Sequence, residues 1–348
     1  MDYEPPLLEA SQKLLRRSSD TRTMNSKSTT SSILSTAVES STCELPVIDL
    51  GRLNSNTDHL EREECKKQII EAAKQWGFFQ LVNHGISQQF SQMLLSSEGL
   101  IKAFHRPFAD KSQQSSTTVH YKWGNPFATN LKQLLWSEAF HIFFPHGQAN
   151  MDEDDHHTCL RSITEAFVRK VAPLAESLAE ILGQELNIKS SYFREMCLPN
   201  TSFLRLNRYP PCPIPKLVFG LLPHTDSTFL SIVYQGQVEG LQLLRDGKWI
   251  GVKPNPHVLL VNVGDLFEAL SNGVYRSIIH RVVAAEKEER FSVAYFYRPF
   301  DDAVIESHGT PRVYRSFTFK EYKQQNEEAL KQTGNKVGLS RLLFVEER

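Results

Sequence analysis

No apolar run in this chain reaches the roughly 18 residues a helix needs to cross a bilayer, which excludes a membrane-spanning helix and a membrane partner. Surplus charge is lacking too. Lys and Arg total 39 against 40 Asp and Glu, a formal net charge of -1. No dense basic patch with interleaved aromatics appears, so nucleic acid is not an expected partner. Cysteine is sparse and odd in number: Cys43, Cys65, Cys159, Cys197 and Cys212 stand without disulfide or metal spacing. That pattern fits a reducing compartment. The opening Asp2-Tyr3-Glu4-Pro5-Pro6 lacks the basic-then-apolar order of a secretion signal. The cytosol is therefore the default location, with the nucleus open to a protein of this size. Internal repeats are also missing. With 348 residues, 40% hydrophobic and 23% charged, the chain can bury one large core, or one core with a helical annex, and a monomer is expected.

The first 44 residues predict a flexible leader, with a short helix over 7–17 and a Ser/Thr-rich, aperiodic tract over 18–42. Order begins at Leu45-Pro-Val-Ile-Asp-Leu50. Cys65, Ile69, Ile70, Ala73 and Trp76 recur at helical spacing, and Gly77 ends that helix before the strand Phe78–Asn83. His84, in the following turn, has no carboxylate partner nearby and is structural. Further helices are expected over 87–106 and 160–186, separated by an aromatic-rich stretch over 117–147 and a charged loop over 152–157. Residues 45–200 thus form a helical and strand region that packs on a core formed by 201–348. That second half carries short strands: 204–209, 229–234, the pair 241–244 and 249–252 around the Asp246-Gly247 turn signal, and the apolar run 257–263. A final helix over 319–331 ends at Gly334.

The chemistry gathers around Pro223-His224-Thr225-Asp226. His224 and Asp226 are i,i+2 partners, which in extended chain puts both on one side, about 7 Å apart. Imidazole and carboxylate suit a borderline divalent metal. His280, followed by the apolar Val282-Val283, is the best third donor. Two histidines and one carboxylate on facing strands describe the facial triad of non-haem Fe(II) oxygenases, which leaves three coordination positions open. Ten residues on, Arg290 and Ser292 point to one side of the next strand. A guanidinium fork beside an iron site suits the far carboxylate of a small diacid. Short strands around an inward-facing metal predict a mainly β fold with flanking helices, a double-stranded β-helix or jelly roll.

His224-x-Asp226, His280 and Arg290-x-Ser292, in that order, resemble the signature of the plant-type 2-oxoglutarate- and Fe(II)-dependent dioxygenases. Asn207-Arg-Tyr209-Pro-Pro-Cys212 and the Gly77-Phe-Phe to Asn83-His-Gly passage resemble the same family. Trp123-Gly-Asn-Pro126 and Leu134-Leu-Trp-Ser-Glu-Ala-Phe-His141 look like the gibberellin 2-oxidases, within them the branch acting on twenty-carbon gibberellins. Glu268 and Leu270 depart from the commoner Gln and Trp, and Arg298 from a smaller or neutral residue. The resemblance implies Fe(II) on His224, Asp226 and His280. It implies 2-oxoglutarate with its far carboxylate on Arg290, Ser292 and the Tyr209 hydroxyl, and with Asn207 supporting its chelating end. Molecular oxygen is the second co-substrate, and ascorbate a stimulating additive. The implied reaction is gibberellin 2-beta-hydroxylation, an inactivation, coupled to oxidative decarboxylation of 2-oxoglutarate to succinate and carbon dioxide. A related dioxygenase of another gibberellin position, a flavonoid or an indole derivative is the alternative, and a non-enzymatic jelly-roll binder the third. For the diterpenoid itself, Trp123, Trp136, Phe140, Phe267 and Leu270 are candidate apolar walls, and Arg205, Lys132 and Arg208 candidate carboxylate receivers.

Overall fold

The computed structural model describes residues 2–20, 42–54, 56–96, 98–113, 118–144 and 155–344. Helix α1 (Leu7–Asp20) comes first. Leu7 and Leu14, two turns apart on one face, are buried with Leu134, Trp136, Cys212, Val218 and Ala284. The leader expected over 1–44 therefore starts with a docked helix: two leucines on one face supply the apolar contact that the Ser/Thr tract lacks. Most of that tract, 21–41, lies outside the described residues.

Strands β1 (Thr42–Cys43) and β2 (Val47–Asp49) precede helix α2 (His59–Gln75), whose first turn is capped by the Asp58 carboxylate. Gly77 ends this region for two physical reasons. Its φ is +60°, and a Cβ there would lie 2.0 Å from the Arg276 carbonyl oxygen. Strand β3 (Phe78–Val82) follows, and the helix expected over 87–106 is divided into α3 (Gln88–Ser96) and α4 (Glu98–Phe104). Helix α5 (Phe108–Gln113) leads to strands β4 (Val119–Trp123) and β5 (Glu138–Phe143). Helix α6 (Asp155–Glu185) starts five residues before the expected 160, so the backbone of His156 and His157 is helical and not a loop; α7 (Tyr192–Met196) is short.

The second half runs β6 (Phe203–Tyr209), β7 (Phe219–His224), β8 (Leu230–Tyr234), β9 (Leu241–Arg245), β10 (Lys248–Val252) and β11 (Leu259–Val263). Helix α8 (Asp265–Leu270), β12 (His280–Val283), β13 (Arg290–Tyr297), the small pair β14 (Val304–Ile305) and β15 (Phe317–Thr318), and α9 (Phe319–Thr333) complete it. The β9–β10 hairpin turns on Asp246 and Gly247, with φ of 49° and 76°, the left-handed pair that the Asp-Gly signal predicts. Gly334 closes α9 in the left-handed conformation.

The strands build two sheets. The larger is ordered β2-β3-β11-β8-β13-β6-β5-β4 and the smaller β1-β10-β9-β12-β7. Most neighbours are antiparallel, β2–β3 and β1–β10 being parallel. This is the jelly roll the sequence predicts. Strands from the 45–200 stretch extend the larger sheet at both ends, sharing its hydrogen bonds. Because β-strand side chains alternate, each central strand serves two layers. Leu204, Leu206, Ile232, Val261 and Val293 point outward into a core with Phe167, Val171 and Leu178 of α6. Phe78, Tyr209, Leu260, Leu241 and Val282 meet in a second cluster, drawn from both sheets. The candidate site opens in that second layer.

Candidate active site

His224 ends β7 and His280 begins β12, and the two are direct partners across that antiparallel pair. Their rings consequently lie side by side, centroids 4.3 Å apart. Asp226 turns back toward them. Its Oδ1 lies 3.5 Å from His224 Nε2 and 3.7 Å from His280 Nε2, and the donor atoms of all three side chains fall within 4.8 Å of one another. Each ring is oriented from behind: Nδ1 of His224 is 2.7 Å from the Leu222 carbonyl oxygen, and Nδ1 of His280 is 3.0 Å from that of Ile278. A carbonyl only accepts, so Nδ1 carries the proton and each Nε2 keeps its lone pair for the cluster. Asn262 fixes the carboxylate in the same way, donating to Asp226 Oδ2 at 2.6 Å and leaving Oδ1 free.

Electrostatics match this arrangement. Burial pushes the Asp226 carboxyl up, but His280 and His224 outweigh it and hold the group well below the usual carboxylate range. Burial, joined by His224, lowers His280 to about 4 against the pull of Asp226. An ionised Asp226 and a neutral His280 are the states a divalent cation requires. Two lone pairs and a carboxylate oxygen converging with no donor among them fit Fe(II).

The register of β6 against β13 sets the rest. On the cavity face, Tyr209 pairs with Arg290, Asn207 with Ser292, Arg205 with Ala294 and Phe203 with Phe296. Asn207 Nδ2 donates to Ser292 Oγ at 3.3 Å, and the Arg290 guanidinium lies 4.9 Å from the Tyr209 ring centre. Arg290 is 2% exposed; its Nε donates to the Val238 carbonyl, while Nη1 is buried with no partner. No carboxylate among the described residues pairs with it. A buried guanidinium with a free N–H and no anion fits the far carboxylate of 2-oxoglutarate. The cavity, about 520 Å³ of empty space with its open mouth included, is lined by all seven expected site residues together with Arg205, Phe78, Leu221, Val233, Leu241, Val282 and Phe296.

Several expected substrate contacts lie elsewhere. Phe140 pairs with Leu206, on the face opposite His141 and Arg205, and so enters the outer core with Phe267 and Leu270. Trp136 packs with Leu7 and Leu134 and donates its indole N–H to the Pro211 carbonyl, with Trp123 beside that cluster. For Phe140 the side-chain parity of its strand, invisible until pairing is known, points the ring away; Phe267 and Leu270 are turned outward by helix α8. Lys132 is exposed on a short 3-10 turn. Arg208 faces outward and is sealed by Glu4, Glu138 and Glu289. Only Arg205 of the three cations lines the cavity. His84 sits in its turn, its Nδ1 accepting from the Ile86 N–H at 3.3 Å, outside the metal cluster. Asn262 escaped the sequence reading, although an amide alone in the most apolar strand was its signal, since a buried polar group needs a partner.

A two-histidine, one-carboxylate centre inside a jelly roll, facing a buried arginine across one cavity, defines a non-haem iron oxygenase. The comparisons agree: the model of the 2OG-Fe(II) oxygenase superfamily matches residues 200–299, and that of the non-haem dioxygenase in morphine synthesis N-terminal region matches 45–166. The chain belongs to the 2OG-Fe(II) oxygenase superfamily. It is 48% identical over 301 residues to gibberellin 2-beta-dioxygenase 8 of Arabidopsis thaliana, covering 86% of this chain and 87% of that one. It is 41% identical over 304 residues to gibberellin 2-beta-dioxygenase 6 of Oryza sativa subsp. japonica, covering 85% and 84%. The crystal structure of JOX2 in complex with 2OG, Fe and JA superposes with a TM-score of 0.74 at 29% identity, covering 94% of this chain and 97% of that one. Among the described residues no helix is long and apolar enough to cross a membrane.

Proposed function

We propose that this protein hydroxylates gibberellins at C2 and thereby inactivates them, with twenty-carbon precursors as preferred substrates. The observation that carries the substrate is the similarity, over more than four-fifths of each chain, to relatives named gibberellin 2-beta-dioxygenases. The Trp123-to-Pro126 and Leu134-to-His141 segments support the twenty-carbon branch.

His224, Asp226 and His280 would hold Fe(II), which with 2-oxoglutarate supplies the dioxygen activation and the oxidative decarboxylation to succinate and carbon dioxide. Arg290, Ser292 and Tyr209 would hold the far carboxylate of 2-oxoglutarate, and Asn207, tied to Ser292, its chelating end. Asn262 and the Leu222 and Ile278 carbonyls keep the donor atoms aimed. Phe78, Leu221, Val233, Val282 and Phe296 line the cavity with apolar surface, which excludes water and suits a rigid hydrocarbon body. A monomer acting in the cytosol or nucleus, stimulated by ascorbate, belongs to the same reading. The test is a panel of twenty- and nineteen-carbon gibberellins, flavonoids and indole acids incubated with enzyme, Fe(II) and 2-oxoglutarate, with products placed by mass spectrometry and NMR. C2-hydroxylated gibberellin is the expected product. Efficient turnover of a non-gibberellin alone would reject the substrate and leave the iron chemistry standing.

A further inference from the structure

With Arg290 at one end of the cavity assigned to the co-substrate, the arginine at the other end, Arg205, has no task. Arg205 precedes Tyr209 by four positions on β6, which places it about 13 Å along the strand from the Tyr209–Arg290 rung. On the same face its strand partners are Ala294 on β13 and His141 on β5, with His120 on β4 beyond His141. Arg205 Nε and His141 Nε2 are both buried and without a hydrogen-bond partner. No carboxylate among the described residues forms an ion pair with Arg205. Arg205, Lys122 and Arg298 are cations felt at His141. Burial and those cations hold His141 well below its ordinary value, hence neutral and able to donate from Nε2. Beside the pair, Phe143, Phe203 and Phe296 stack at centroid distances of 5.3 and 4.7 Å. Arg205 is half-buried and feels the Asp226 carboxylate, which belongs to the metal cluster; an anion that pairs with the guanidinium directly has to come from a ligand, and the phenylalanines beside it suit one carried on an apolar body.

We propose that Arg205, with His141 donating beside it, receives a carboxylate of the substrate and so selects which carbon of the ring system faces the metal cluster. The inference rests on the function proposed above and adds the residues that choose the substrate. The cavity then has two anion-binding ends, Arg290 for the co-substrate and Arg205 for the substrate.

The iron-loaded enzyme is assayed with a gibberellin acid and with its methyl ester, in wild type, Arg205→Met, Arg205→Lys and His141→Gln. In Arg205→Met, KM for the acid should rise roughly 30-fold or more, the loss expected when one partner of a desolvated charge pair is removed. KM for the ester, already poor in wild type, should scarcely move, and 2-oxoglutarate affinity in the anaerobic iron complex should be retained. Arg205→Lys should recover part of the loss, because a point charge replaces a fork. His141→Gln keeps a donor and should cost less than Arg205→Met. Equal losses on acid and ester, or an unchanged KM for the acid, would overturn the assignment. Should Arg205→Met fail to fold, judged by its 2-oxoglutarate titration, the lysine variant decides through the same acid-to-ester ratio. A wild type that oxidises no gibberellin would reject the proposed function and not this site. Thermal protection by abietic acid against its methyl ester then serves, and protection that is acid-specific in wild type but lost in Arg205→Met is the supporting result. Equal protection of both proteins would overturn the inference.

Discussion

Asn262 holds Asp226 from within a strand whose other members, Leu259, Leu260, Val261 and Val263, are all buried apolar residues. Losing that single donor leaves the carboxylate free to rotate, so Asn262→Leu should lower Fe(II) affinity or turnover by about 10- to 100-fold while the fold survives; an Fe(II) titration followed by succinate release measures it. His280→Ala opens the cluster itself and should nearly abolish turnover. Full 2-oxoglutarate-dependent activity in that variant would mean a different third donor. Arg290→Ala should weaken 2-oxoglutarate binding by roughly 2–5 kcal/mol, the cost of leaving one charge of a buried pair unmatched. Arg290→Lys should restore only part, since it offers a point charge in place of a fork. Titration of the anaerobic iron complex separates the three proteins.

Strand β6 is braced from behind by the N-terminal segment. Arg208, on the face opposite Asn207 and Tyr209, binds Glu138, donates to Glu289 at 2.5 Å and reaches Glu4 at 2.6 Å. Glu138 also holds Lys111 at 2.6 Å, and the Lys111 ammonium donates to the Tyr3 carbonyl. Glu138 and Lys111 have no exposed side-chain surface, so Glu138→Ala leaves the buried Lys111 ammonium without its carboxylate, takes one of three carboxylates from Arg208, and should cost about 3–5 kcal/mol in urea unfolding. A loss below 1 kcal/mol would show that water reaches the cluster. Elements of this kind were partly legible. The Asp246-Gly247 hairpin and the Gly334 stop were plain because local backbone chemistry dictates them. The docking of α1 was not, because Leu7 and Leu14 acquire meaning only against Trp136 and Val218, far along the chain.

As a whole, the molecule keeps buried charge for ligands to match, and its stability should rise when they bind. Fe(II) with 2-oxoglutarate at a hundredfold excess over Kd should add about 2.7 kcal/mol to unfolding, provided the unfolded chain binds neither. An anaerobic denaturation series with and without co-substrate checks this, and no shift would mean that Arg290 is satisfied without it. Twenty-carbon gibberellins should exceed nineteen-carbon ones by at least about tenfold in kcat/KM, which needs only about 1.4 kcal/mol at the transition state. Competition between equal amounts of both classes decides it. The amino-acid sequence by itself marked out the candidate metal donors, the Arg290–Ser292 pair and the jelly roll, since His-x-Asp, Arg-x-Ser and the strand-and-turn rhythm are local patterns with local physical causes. Which of Arg205, Arg208 and Lys132 lines the cavity was decided only by tertiary structure. Strand register assigns alternate residues to opposite faces, and pairing with β5 and β13 turned Arg205 into the cavity and Arg208 into a ring of carboxylates.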